Sequence, residues 1–273
     1  MSGLRAFTSA AGAAYRAEGR TAVHRNLPEE LPLAVVCNGS SFAVMMATPE
    51  DVEDFALGFL YTEGVIAGPD EVERLEVVRH PQGLEARLWL REDRAEALAA
   101  RRRAMAGPVG CGLCGIESLE AAARAVPVVH SDARFTAAEV GKATEALRAC
   151  QPLHDRTRAT HAAGFLRPGA GIVMAREDVG RHNALDKLIG ALLRARISPA
   201  EGAFVMTSRL SLELVQKCAV AGAPAMIAVS APTASALRLA DAAGISLVAF
   251  ARGTGFDIYT HPDRIAEEAC HVA

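Results

Sequence analysis

From Gly171 to Gly255 the chain alternates between short apolar runs and amphipathic stretches, and this alternation constrains its fold more than any other feature. Gly171-Ile-Val-Met-Ala175 precedes a helical pattern through Leu185, Leu188, Ile189 and Leu192. Ala203-Phe-Val-Met-Thr207 precedes another through Leu212, Val215 and Ala219. Ala225-Met-Ile-Ala-Val-Ser230 leads into a helix opened by Pro232 and Thr233, and Ile245-Ser-Leu-Val-Ala-Phe250 leads into Arg252-Gly253-Thr254-Gly255. Strands that alternate with helices of about a dozen residues imply an α/β domain with a mostly parallel sheet and helices on both faces, an α/β/α sandwich. It is expected over residues 136–273.

In an open α/β sheet, ligands collect beyond the carboxyl ends of the strands. The polar residues fall there: Arg176-Glu177-Asp178, Thr207-Ser208-Arg209, Ser230 to Thr233, and Arg252 to Gly255. Arg176, Arg209 and Arg252, with hydroxyls such as Ser208 and with helix N-termini, suit a phosphate or pyrophosphate. The same residue types are also ordinary caps and turns. A glycine-rich turn at Gly253-Thr254-Gly255 lets backbone N–H groups approach a phosphate, although no complete phosphate-loop motif occurs. His182 lies in the polar segment Arg176 to Asn183, which is denser in polar groups than helix capping requires. With His161 it is a candidate for acid/base or ligand-donor work.

The N-terminal half reads differently. Residues 1–25, rich in Ala, Gly and Arg, show no clear period and are expected to form a loose arm. A hairpin is predicted over Leu31 to Met46, turning at Asn38-Gly39, because both residues accept positive φ. Thr48-Pro49-Glu50-Asp51 is read as a helix start with Thr48 as N-cap. Strand-like runs follow at Glu71 to Arg79 and Leu84 to Leu90, then a helix from Glu92 to Met105. A smaller α+β domain is therefore expected over 26–135, with a new helix opening near Phe135-Thr136.

Several function classes are disfavoured by bulk properties. A formal net charge of −3 argues against broad nucleic-acid binding. No apolar run is long enough for a membrane span, and the polar start lacks a signal peptide's apolar core, so a cytoplasmic protein is expected. The six cysteines, at 37, 111, 114, 150, 218 and 270, do not form a disulfide framework in such a chain. Cys218 reads as a core residue, and Cys37, Cys150 and Cys270 take the same default.

The remaining pair, Cys111-Gly-Leu-Cys114, sits between Gly110 and Gly115 after the basic run Arg101-Arg102-Arg103. Half of a zinc site, a thioredoxin-like redox pair and a purely structural loop are all readings of this spacing. A sulfur carrier is a fourth, in which the glycines give the thiol reach and the arginines lower its pKa.

Several stretches together resemble the FdhD family of formate dehydrogenase accessory sulfurtransferases. They are Asn38-Gly39, Thr48-Pro49, Gly58-Phe59-Leu60, Glu63-Gly64, Cys111 to Gly115, Thr160-His161-Ala162-Ala163, Arg176 to Gly190, Val215-Gln216-Lys217 and Val229 to Thr233. Gly110 and Arg158-Ala159 depart from the pattern. The resemblance implies a sulfurtransferase that takes persulfide sulfur from a cysteine desulfurase onto Cys111, with Cys114 in support. Its acceptor would be the molybdenum or tungsten bis(molybdopterin guanine dinucleotide) cofactor, needed for formate dehydrogenase activity, with a guanine nucleotide such as GDP as a partial mimic. Phe250, Ala251, Arg252, Gly253, Thr254 and Gly255 map onto the family's cofactor contact. A homodimer, a cytidine deaminase-like C-terminal domain and no tightly bound metal are also implied; the deaminase zinc signature is absent in the required order.

Overall fold

The computed structural model describes residues 5–105 and 125–266. Strands β1 (Phe7–Arg16) and β2 (Gly19–Pro28) pair antiparallel as a two-stranded sheet of their own. The expected loose arm is thus, from Phe7 onward, an ordered hairpin turning at Gly19, whose φ is 112°. Its residues are exposed or half-buried on both faces, so no burial imposes the alternation by which a strand is recognised. The guanidinium of Arg156 lies 5.2 Å from the Phe7 ring and ties the hairpin base to the C-terminal half.

A four-stranded sheet follows, in the order β4 (Ser40–Ala47), β3 (Leu31–Cys37), β6 (Gly83–Leu90), β5 (Val72–His80). The β3–β4 turn is the expected one, with Asn38 at φ 49° and Gly39 at φ 76°. Leu84, Ala86, Leu88 and Leu90 alternate inward and bury against Phe55, Leu60 and their neighbours on helix α1 (Val52–Thr62). Helix α2 (Glu92–Met105) completes this part. Thr48 does not cap α1, whose N-cap is Asp51. It is fully buried and bonds to the C-terminal half instead.

In that half, β7 (Phe135–Thr136) pairs with β14 (Ile265–Ala266), and Thr136 opens α3 (Ala137–Arg148) through a capping box with Glu139. The short α4 (Pro152–Thr157) leads to β8 (His161–Arg167), β9 (Gly171–Asp178) and α5 (Arg181–Ala195). Then come β10 (Ala203–Met206), α6 (Leu212–Ala221), β11 (Ala225–Ala228), α7 (Ala234–Ala242), β12 (Ser246–Arg252) and β13 (Gly255–Ile258). The sheet order is β13-β12-β11-β10-β8-β9.

Only β10–β11 and β11–β12 are parallel; the other three pairings are antiparallel. The sheet is therefore mixed rather than mostly parallel. The cause is that β8–β9 and β12–β13 are joined by tight turns, where the apolar pattern alone suggested strand–helix alternation throughout. Helices cover both faces: Phe204 and Met206 join the core under α5, α6 and α7, while Ala203 and Val205 join the core under α3.

The halves meet where α1 crosses α5. A Cβ on Gly58 would lie 1.8 Å from the Asp186 carbonyl oxygen, and one on Gly190 would lie 1.8 Å from that of Asp54. Only glycine permits this approach. Cys37 and Cys218 are buried as expected, and burial pushes the Cys218 thiol far above its ordinary pKa. Cys150 is exposed, contrary to its expected core position, because it lies two residues past the end of α3, beyond the helix's apolar face. Cys270 lies outside the described residues.

Candidate functional site

Strand β9 projects alternate side chains to opposite faces of the sheet, and Arg176, Glu177 and Asp178 consequently do different work. Asp178, fully buried, fills its carboxylate with four donors: Thr48 N at 3.0 Å and Lys187 Nζ at 2.7 Å on one oxygen, Gly180 N at 2.8 Å and Asn183 Nδ2 at 3.0 Å on the other. The equally buried Lys187 also donates to the Thr48 carbonyl at 3.0 Å. Arg176 points the same way and grips the buried Asp54 of α1 at 2.7 and 2.8 Å. Arg194 binds the other oxygen of Asp54 at 2.7 Å, and Lys217 joins Asp186 to Thr62 with two 2.9 Å bonds. These groups form a polar clasp between the two halves. Arg176, expected at the ligand rim, belongs to it.

Glu177 faces the other way. Its carboxylate accepts from Leu153 N at 2.7 Å, His154 N at 2.8 Å and the Thr160 hydroxyl at 3.1 Å, fixing the start of α4. Helix α4 in turn forms one wall of a cavity of about 580 Å³. The cavity opens at the carboxyl ends of β10, β11 and β12, where Thr207, Val229, Arg252 and Gly253 line it. Thr144, Glu145 and Arg148 of α3 form the opposite side, and Gln151, His154, Arg158, Thr160 and His161 complete it. The strand-end location is the one the sequence anticipated. Most of the helical lining is not, because α3 and α4 precede the alternating region and their polar residues read as an ordinary solvated face.

Arginines Arg148, Arg158 and Arg252 give the cavity an anion-binding character. Arg148 pairs with Asp155, whereas the side chains of Arg158 and Arg252 make no hydrogen bond or ion pair among the described residues. The end of β12 is shaped by a register shift between Ala249 and Arg252, which puts Phe250 at φ 53° with the residue 46% exposed. Ala251 is buried, and its carbonyl accepts from the Thr144 hydroxyl at 2.9 Å. Gly253 and Thr254 form the turn into β13, whose first residue, Gly255, pairs with Arg252. Of the segment Phe250 to Gly255, then, Arg252 and Gly253 line the cavity directly.

His161 lines the cavity, and burial together with the neighbouring Arg181 lowers its pKa. His182 lies outside the cavity, on the first turn of α5, with Nε2 at 2.8 Å from Glu213 and 3.3 Å from the Ser211 hydroxyl. Burial first, then Arg181 and Lys217, bring its pKa down to about 4. At neutral pH the ring is uncharged, and the Glu213 contact is an imidazole N–H donating to a carboxylate. Ser208 is buried and donates to the Arg209 carbonyl at 3.0 Å; Arg209 is exposed, and neither lines the cavity. Cys111 and Cys114 lie outside the described residues. No helix among the described residues is long and apolar enough to cross a membrane.

A protein from Agrobacterium fabrum named sulfur carrier protein FdhD is 50% identical over 262 residues, covering 93% of this chain and 97% of the relative. A protein of the same name from Bordetella bronchiseptica is 49% identical over 242 residues, covering 88% of this chain and 87% of its own length. A crystal structure from Desulfotalea psychrophila, of a protein assigned as a formate dehydrogenase accessory protein, superposes with a TM-score of 0.77 at 27% identity, covering 96% of this chain and all of the other. The family model described as FdhD/NarQ matches residues 28–266, and the chain belongs to that family.

Proposed function

We propose that this chain is a sulfur carrier serving formate dehydrogenase, which takes sulfur from a cysteine desulfurase onto Cys111 and delivers it to a bis(molybdopterin guanine dinucleotide) cofactor of molybdenum or tungsten. The observation that carries this reading is the arginine-lined cavity at the strand ends, in a chain whose relatives are named sulfur carrier proteins. The guanidinia of Arg158 and Arg252, which make no hydrogen bond or ion pair among the described residues, lie beside the backbone of Gly253 and suit the phosphates of such a cofactor. The exposed ring of Phe250 offers a flat surface to one of its heterocycles.

Loading is a thiol exchange. The Cys111 thiolate attacks the outer sulfur of the donor's persulfide, the donor leaves as a thiolate, and a Cys111 persulfide remains. Delivery as sulfide needs two electrons. Attack of the Cys114 thiolate on the Cys111 sulfur supplies them: the outer sulfur departs as HS⁻ and a Cys111–Cys114 disulfide forms, to be reduced by an external thiol. Intact-mass measurement after incubation with cysteine and a desulfurase tests the carrier step, with an expected gain of about 32 Da for one sulfur atom. An unchanged mass, or a gain that survives Cys111→Ala, defeats it.

A further inference from the structure

The β1–β2 hairpin takes no part in the carrier chemistry, and its charge sets it apart from the rest of the chain. Between Arg5 and Pro28 stand four arginines, Arg5, Arg16, Arg20 and Arg25, against a single acid, Glu18. This segment therefore carries a formal +3 in a chain of net −3, which leaves −6 on the remainder. The cross-strand register places Tyr15, Arg20 and His24 on one face, and Arg16, Arg25, Val23 and Leu27 on the other. Arg16, Arg20 and Arg25 are exposed and make no hydrogen bond or ion pair among the described residues. Tyr15 is 76% exposed, with the Arg20 guanidinium 6.0 Å from its ring. From Ser9 to Ala14, β1 carries only Ser, Ala and Gly, so the ribbon is thin as well as basic on both faces.

Strands of this length reach roughly 30 Å, and a two-stranded hairpin exposed on both faces is marginal by itself. Its foot stands in a particular place. Strand β2 packs against α4, and Arg156 of α4 lies over Phe7; α4 is also a wall of the strand-end cavity. We infer that the hairpin is a docking arm that enters an acidic cleft of the protein receiving what the cavity holds, formate dehydrogenase. This rests on the reading of the chain as a carrier serving that enzyme and adds the surface by which the two meet. A flat acidic patch would engage one face of the ribbon and leave the arginines of the other in water, whereas a cleft with acidic walls engages both. The small side chains of β1 let those walls close on the backbone. Two hairpins laid edge to edge would set arginine against arginine. A nucleic acid, charged along its whole length, would meet the −6 of the remaining chain, while an acidic cleft confines its charge to the arm.

Biolayer interferometry of the full chain on purified apo-formate dehydrogenase tests this, beside a variant that combines Arg16→Glu, Arg20→Glu and Arg25→Glu. The native chain should associate at a rate that falls steeply between about 50 mM and about 300 mM salt. The charge-reversed variant should associate at least about tenfold more slowly at the lower salt and lose most of the salt dependence. Tyr15→Ala, which removes an exposed ring without changing charge, should instead speed dissociation. If the reversal unfolds the hairpin, as a thermal melt would show, the corresponding Arg→Gln variant decides, with the same loss of salt dependence expected. Variants that bind as tightly and as salt-dependently as the native chain overturn the inference. So does a native chain that takes up sulfur in the intact-mass assay yet does not bind the dehydrogenase; the carrier reading then stands without the arm. A native chain that neither takes up sulfur nor binds removes that reading, and the inference with it. Charge reversal that changes only the oligomeric state assigns the arm to a second copy, and a duplex oligonucleotide bound more tightly than the dehydrogenase assigns it to nucleic acid; either result overturns the proposal.

Discussion

The two faces of β9 carry polar clusters of similar composition and opposite condition. On one face, Asp178, Lys187, Asn183, Thr48, Arg176 and Asp54 satisfy one another between the two halves of the chain. On the other, Glu177 settles the start of α4, and beyond it the cavity is lined by two arginines, Arg158 and Arg252, whose side chains make no hydrogen bond or ion pair among the described residues. A saturated network in a low-dielectric interior fixes geometry and leaves no valence for a ligand. An unsaturated one at a strand end has donors to offer a ligand. Polar density alone does not tell the two apart; hydrogen-bond saturation does.

The largest expected effect comes from breaking the clasp. Asp178→Ala leaves the fully buried ammonium of Lys187 without its countercharge and should cost about 3–5 kcal/mol in stability. Urea denaturation of the purified protein measures this, and a loss below about 1 kcal/mol would show that water reaches the pair and that the clasp is not the closed network described.

This contrast also explains which features were legible in the sequence. The Asn38-Gly39 turn and the Thr136 helix start were readable because their signals are local: a positive-φ pair and a capping residue. The strand-end position of the cavity was readable because it follows from topology that the apolar runs encode. Arg176 and His182 were misplaced because a residue's partners lie far along the chain, as with Arg176 and Asp54, and sequence spacing carries no sign of them. The β1–β2 hairpin escaped notice for the opposite reason, since nothing buries either of its faces. Gln151 left no signal at all; a glutamine before Pro152 reads as a turn until its burial is seen.

On the open side of β9 the expectation reverses, with binding affected and stability spared. Arg252→Ala removes an exposed side chain that makes no hydrogen bond or ion pair among the described residues, so stability should change by no more than about 0.5 kcal/mol. Affinity for GDP should fall about tenfold, the weight of one charge-assisted hydrogen bond. A thermal melt beside the titration reads both quantities. A large drop in melting temperature without ligand would place Arg252 with the clasp instead.

His182 tests the boundary between the two clusters, with the smallest effect. Its folded pKa of about 4 lies below the ordinary 6.5, so the unfolded chain takes up a proton first as the pH falls. Its contribution is therefore fully present above about pH 6.5 and declines progressively as the pH drops toward 4. Denaturation midpoints of the native chain and of His182→Gln, compared at about pH 7.5 and about pH 5, isolate that loss from the carboxylates that titrate in both. The variant should lose less stability between the two conditions than the native chain. Equal losses would mean that the ring protonates freely and pairs with Glu213 as a cation, which would move the edge of the desolvated clasp inward to Asn183.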